Sequence, residues 1–199
     1  RFASEYGFQS LPSFAALSEV LGNQDWYFNS SGIEHRQHHP NGTLQLVAQI
    51  AYHFQLDLTN YQSLRSFKNY IYLTQAMQAL CITYQSEHYR RGKGQPAQTM
   101  GALYWQLNAI WQAPDWASIE WGGKWKMLQY AARRFFAPVL VSAAETPWNV
   151  MQVYVTSDLM SAISGDTLVI QLIRWSDASQ VAEWSVPVDL PALGSASFY

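Results

Sequence analysis

Cysteine is almost missing from this chain. Cys81 stands alone, so no disulfide can form within the 199 residues. Charge is scarce as well: 13% of residues are acidic or basic and the formal net charge is -2, which leaves no basic footprint for a nucleic-acid partner. No stretch of the chain approaches the roughly 20 apolar residues of a membrane-spanning helix. What remains is a hydrophobic fraction of 49%, far from the disordered class and enough for a sizeable core.

Aromatic residues are what the chain has in excess. They make up 15% of it, with 9 Trp and 12 Tyr, and Trp105, Trp111, Trp116, Trp121 and Trp125 fall close together. A single Trp is ordinarily core packing, because it contributes a large apolar area. A cluster of Trp and Tyr offers flat apolar faces with hydrogen-bonding edges, which suit sugars, and the cluster is read here as a carbohydrate platform.

Periodicity gives a helix-rich first two-thirds and a strand-rich last third. Arg1-Phe2-Ala3-Ser4-Glu5-Tyr6-Gly7-Phe8 reads as a short buried strand carrying one carboxylate near its end. Pro12 lies early in a helix with Phe14, Leu17 and Leu21 on one face, ended by Gly22. Thr43 can cap a helix presenting Leu44, Val47, Ala48, Ala51 and Phe54. A long helix is expected from near Tyr61 to Arg91, its inward stripe formed by Leu64, Phe67, Ile71, Thr74, Met77, Cys81 and Tyr84, broken by Gly92-Lys93-Gly94-Gln95-Pro96. The basic run Arg90, Arg91 and Lys93 at its end is accounted for by the helix dipole.

Gly101 to Leu107 reads as a second buried strand, followed by the Trp-rich loop and a helix from about Lys124 to Phe136 with Trp125, Leu128, Ala132 and Phe135 on one side. Strand, helices, strand, helix is the order of closing units in a parallel (β/α)8 barrel. Past Pro138, the stretches Val150 to Val155, Thr167 to Trp175 and Val181 to Val188 alternate apolar and polar residues between Ser/Gly/Asp turns, as in an antiparallel sandwich. The expected organisation is α/β: the C-terminal part of a (β/α)8 TIM barrel over residues 1–140, then the start of an incomplete immunoglobulin-like β-sandwich over residues 141–199.

A carboxylate at the C-terminal end of a barrel strand is a candidate nucleophile, and Glu5 occupies that place. Tyr6 beside it could hold the carboxylate and keep its pKa low. The ordinary alternative for one Glu after a short strand is a salt bridge or a cap, and the triplet alone does not decide. His35, His38 and His39 include ligand-type imidazoles, but no Cys or acidic partner stands at suitable spacing, so no metal is assigned. Asn29-Ser30-Ser31 and Asn41-Gly42-Thr43 are glycosylation sequons at Asn29 and Asn41, a weak pointer to the secretory route.

Taken together, Arg1 to Ser10 with Pro12-Ser13-Phe14, His35-Arg36-Gln37-His38-His39, Tyr72 to Ala79, Tyr89-Arg90-Arg91, Gly101 to Asn108, Ile110 to Pro114 and Gly122 to Leu128 resemble β-mannosidases of glycoside hydrolase family 2. The resemblance is nearest to the animal lysosomal type, strong over residues 1 to about 140 and weaker beyond. It implies a retaining exo-β-mannosidase that removes terminal β-linked mannose from non-reducing ends, as in degradation of the N-glycan core. It implies Glu5 as nucleophile, Trp105 as an apolar wall of the mannose subsite, and Tyr6, Trp111 and Asn108 as further substrate contacts. The His run then takes a barrel-loop role at the substrate rim.

The implied partner is a β-mannoside oligosaccharide, with no cofactor, nucleic acid or membrane, and with a lysosomal address. Ala109 stands where the family usually has Asp, which puts a contact at the active-site rim in question. Because the barrel strand bearing the general acid/base is not among these residues, the chain is expected to be the downstream piece of a larger enzyme and inactive alone. The alternative is an inactive or carbohydrate-binding piece built on the Trp-rich loop.

Overall fold

The computed structural model describes residues 1–55, 59–94 and 96–198. Gln95, within the expected helix break, and Tyr199, at the end of the expected sandwich, lie outside the described residues. The chain folds as two compact units. The first takes in Ala3–Ser86 and Ala102–Phe135; the second takes in Arg1–Phe2 and the described parts of 87–101 and 136–199.

The first unit is built on a parallel pair of strands, β1 (Ala3–Tyr6) and β2 (Ala102–Tyr104), registered Ala3 to Ala102 and Tyr6 to Tyr104. Parallel strands need a long crossover, and here it carries α1 (Phe14–Ser18), α2 (Ser31–Arg36), α3 (Gly42–His53) and the 28-residue α4 (Leu64–Arg91), whose last turn belongs to the second unit. α5 (Met127–Phe135) follows β2 and buries Leu128, Ala132 and Phe135. Ser13 and Ser30 cap α1 and α2, their hydroxyls accepting from the amides of Ala16 and Ile33. The core is Leu11, Leu17, Leu21, Ile33, Leu46, Ile50, Phe67, Tyr70, Ile71 and Met77. Each such side chain contributes about 1.5–3 kcal/mol when fully withdrawn from water.

Several elements differ from the sequence pattern. β1 and β2 are not buried strands: Ser4, Glu5 and Leu103 are exposed, since this parallel sheet has two strands among the described residues and open outer edges. α1 ends at Ser18, so Leu21 is carried in by the turn after it. α3 begins at Gly42 with Asn41 in the left-handed region (φ 57°) as its cap, so Thr43 is inside the helix and does not cap it. Its inward face is Thr43, Leu46 and Ile50, with Val47 and Phe54 partly covered; Leu44, Ala48 and Ala51 point to solvent.

On α4 the inward stripe is Phe67, Tyr70, Ile71, Thr74, Met77, Gln78, Ile82 and Ser86, while Leu64 and Tyr84 are exposed. Trp125 precedes α5 and is exposed, packing edge-on against Tyr130.

The second unit is antiparallel. β3 (Val139–Glu145), β4 (Met151–Ser157) and β7 (Ser195–Ser197) form one sheet in the order β3-β4-β7, and β5 (Ile163–Ile173) pairs with β6 (Gln180–Leu190). Val153 and Val155 of β4 meet Leu168 of β5 and Val188 and Leu190 of β6 in a shared core. Gly165, at φ +72°, occupies the register shift near the start of β5, where a Cβ would be strained. β3 was not visible as a strand because its inward residues are Leu140 and Ser142 while Val139 and Val141 face out, which blurs the alternation.

The basic run that the helix dipole seemed to explain has a tertiary role. The guanidinium of Arg90 is buried, donates to Ala137 O at 2.7 Å and pairs with Asp158 at 2.9 Å. Lys93 joins the same carboxylate, and Arg91 lies 5.9 Å from the centroid of the Tyr154 ring. Burial pulls the Arg90 pKa below the usual guanidinium range and Asp158 partly offsets it.

Candidate active site

Glu5 is the penultimate residue of β1 and is exposed, while Tyr6 turns to the opposite face. Trp105 follows β2 directly, and its amide donates to Tyr6 O at 2.7 Å. Both residues therefore stand at the C-terminal ends of adjacent parallel strands, the end at which α/β barrels place their chemistry. Gly7 makes that approach possible: a Cβ there would lie 2.9 Å from the Trp116 ring and closer still to Trp105 O. Trp105 is half exposed and its peptide to Gln106 is cis.

Tyr6 does not sit beside the Glu5 carboxylate. Its ring is buried and its hydroxyl is 2.7 Å from Ser86 Oγ. Alternation along a strand sends neighbouring side chains to opposite faces, so Tyr6 anchors the strand from below and Glu5 projects from it.

The Trp-rich loop is pinned by a buried polar network that periodicity alone does not reveal. Gln78 of α4 is fully buried; its carboxamide accepts from Ser10 Oγ at 2.8 Å and donates toward Phe8 O, Trp116 O and Ala117 O at 2.9, 3.1 and 3.3 Å. One side chain thus ties the segment after Glu5 to the loop after Trp105. Lys126, also fully buried, reaches Asp115 Oδ1 at 2.7 Å and Ser10 Oγ at 3.2 Å. Burial lowers the Lys126 pKa from the ordinary lysine range, and Asp115 counters this.

Glu120 accepts from the Ser13 amide and hydroxyl at 2.5 and 2.7 Å. Asp115 and Glu120, the carboxylates of this loop, are therefore buried and committed to structure. The available signal was Thr74, Gln75 and Gln78 recurring on the apolar stripe of α4, where polar groups persist only with partners.

The remaining candidates disperse. Trp111 is half-buried, with the His38 ring 5.1 Å away and the Arg36 guanidinium 5.2 Å from its centroid. His39 packs at 5.5 Å against Trp116, a different tryptophan, and His35 is exposed. No group of three metal-type side chains occurs among the described residues. Asn108 is exposed, and its backbone bridges to Ile119. Ala109 is buried at 7% exposure, and its amide donates to Ile119 O at 2.8 Å. Asn29 and Asn41 are both exposed.

Residues 149–199 match the family model described as a mannosidase Ig/CBM-like domain. The chain is 50% identical over 180 residues to a β-mannosidase of Mus musculus and 52% identical over 165 residues to one of Capra hircus. Those alignments cover 88% and 81% of the chain but 20% and 18% of the relatives. The chain thus spans about a fifth of the length of the curated relatives it matches.

Its whole length superimposes on 23% of a β-D-mannosidase from Dictyoglomus thermophilum with a TM-score of 0.80 and 23% identity. It also superimposes on 23% of an exo-chitosanase from Amycolatopsis orientalis, with a TM-score of 0.74 and 18% identity. At those identities the structures speak for the fold alone. The level and extent of identity to the mammalian proteins carry more: over most of its length, the chain is homologous to a stretch of the β-mannosidases.

Proposed function

We propose that this chain is the nucleophile-bearing part of a retaining exo-β-mannosidase that hydrolyses terminal, non-reducing β-D-mannosides. The observation that carries the reading is the placement of Glu5 and Trp105 at the C-terminal ends of the adjacent parallel strands β1 and β2, which the Trp105 amide ties together at Tyr6 O. In the assembled enzyme these strands close a (β/α)8 barrel, and the second unit contributes to an Ig-like domain.

Glu5 attacks the anomeric carbon and forms a glycosyl ester while a second carboxyl protonates the leaving oxygen. Water then attacks that ester and releases mannose with retention. The second carboxyl, about 5–5.5 Å from the nucleophile in retaining enzymes, comes from another segment, because Asp115 and Glu120 are already held. Trp105 forms the apolar wall against the sugar, and Tyr6 positions β1. Asn108 contributes at the exposed rim; Trp111 acts through the His38 and Arg36 side chains on its ring. The reaction needs no cofactor. A secretory, lysosomal setting accords with the exposed sequons at Asn29 and Asn41.

Proton NMR of aryl β-mannoside hydrolysis by the full-length polypeptide containing this stretch tests the reading. β-Mannose must appear first and mutarotate later; initial α-mannose would rule out retention. Trp105→Ala is expected to lower kcat/KM by about 10–100-fold, the value of an aromatic face covered on binding.

Exposure of Trp105, Trp121 and Trp125 at 50, 49 and 41% favours a second reading, a sugar-binding surface without catalysis. Under that reading sugar affinity is present, no mannoside is turned over, and Glu5→Ala changes neither.

A further inference from the structure

A groove of about 530 Å³ opens beside Gly7, two residues beyond Glu5, and runs along α3. Gln9, His39, Gln45, Gln49, Tyr52 and Trp116 line it, and none of the described lining residues is a carboxylate, lysine or arginine. Carboxamides and an imidazole around aromatic faces are the chemistry of a site for a neutral polyhydroxylated ligand, one that donates and accepts hydrogen bonds and buries flat C–H faces. A charged ligand would find no counter-ion among the described lining residues.

The groove is also built. Gln37 Oε1 accepts from Gln9 Nε2 and from the His39 amide, both at 3.1 Å, and its carboxamide packs on Gly42, where a Cβ would stand 2.5 Å from it. His39 is braced by Gln45 at 3.1 Å and by the Trp116 ring. Polar groups fixed before binding lose less entropy on contact.

From these features we infer that the α3 groove is a leaving-group subsite: it holds the neutral pyranose attached to the mannose that Glu5 attacks. The inference rests on the mannosidase reading. α3 lies in the connection leaving the C-terminal end of β1, which is the side from which a barrel glycosidase admits its substrate. Trp116 links the two regions, contacting the Gly7 position on one side and His39 on the other.

The test compares β-1,4-mannobiose with β-mannosyl fluoride in the full-length polypeptide and in Gln45→Ala and Tyr52→Ala. Both side chains are exposed, so truncation spares the fold. The ratio of kcat/KM for mannobiose to that for the fluoride is expected to fall about tenfold in each variant, the cost of a lost sugar hydrogen bond or stacking face. An unchanged ratio overturns the inference, whether both rates persist or both fall together. If the unaltered polypeptide cleaves neither substrate, the mannosidase reading fails by itself. Calorimetric titration with mannobiose then decides the groove: weaker binding in both variants supports it, and equal binding overturns it.

Discussion

Glu5→Ala is expected to lower kcat on an aryl β-mannoside by roughly four or more orders of magnitude, the scale seen when a covalent nucleophile is removed. Stability should barely change, because Glu5 is exposed on the strand and its backbone is held by neighbours. Azide supplies a diagnostic rescue. With a dinitrophenyl β-mannoside it should enter from the face that Glu5 vacates and yield α-mannosyl azide, with dinitrophenolate leaving as the C–O bond breaks. A carboxylate acting only as a salt-bridge partner would give a small rate loss and no azide product. Glu5→Gln keeps the volume and removes the charge, so it should be nearly as inactive.

The second large effect concerns Lys126, whose side chain is wholly withdrawn from water beside Asp115. Lys126→Ala leaves the Asp115 carboxylate and the Ser10 oxygens facing a cavity, and it is expected to cost about 3–5 kcal/mol. Urea unfolding of the full-length polypeptide, followed by fluorescence of the Trp-rich loop, measures it. Pairing Lys126→Met with Asp115→Leu should cost clearly less than the two single changes summed, since neither charge is then stranded. The residual cost is the Ala117 amide, which has lost the Asp115 acceptor it meets at 3.0 Å. Strict additivity would mean that Lys126 and Asp115 act independently, contrary to the 2.7 Å contact.

Much of this organisation was legible in the residues. The order of strand, helices, strand and helix followed from apolar periods and from punctuation at Gly and Pro, and it carried Glu5 and Trp105 to the same strand ends. The helix faces were harder. On α3, Leu44 and Leu46 are equally apolar, and tertiary packing selects Leu46 and Ile50 for the core. On α4, burial of Thr74, Gln75, Gln78 and Ser86 breaks the rule that polar residues face water. Thr74, Gln75 and Gln78 stay inside because the backbones of Phe8, Leu11, Trp116 and Ala117 bring them hydrogen-bond partners from far along the chain, and Ser86 because the Tyr6 hydroxyl meets it. Lys126, between Trp125 and Met127, gave no local sign that its ammonium would be sealed against Asp115. Arg90 misled for the same reason: a charge at a helix end fits the dipole, and only the tertiary fold shows Asp158 beside it.

The direct test of the central claim is covalent trapping. The full-length polypeptide is incubated with 2-fluoro β-mannosyl fluoride, its intact mass is recorded, and the labelled peptide is mapped. The fluorine at C2 slows hydrolysis of the glycosyl ester more than its formation, so a retaining enzyme accumulates the adduct. One 2-fluoromannosyl group on Glu5 is the expected result. An adduct on another carboxylate, or none while aryl β-mannoside is still turned over, would contradict the assignment of Glu5 as the nucleophile.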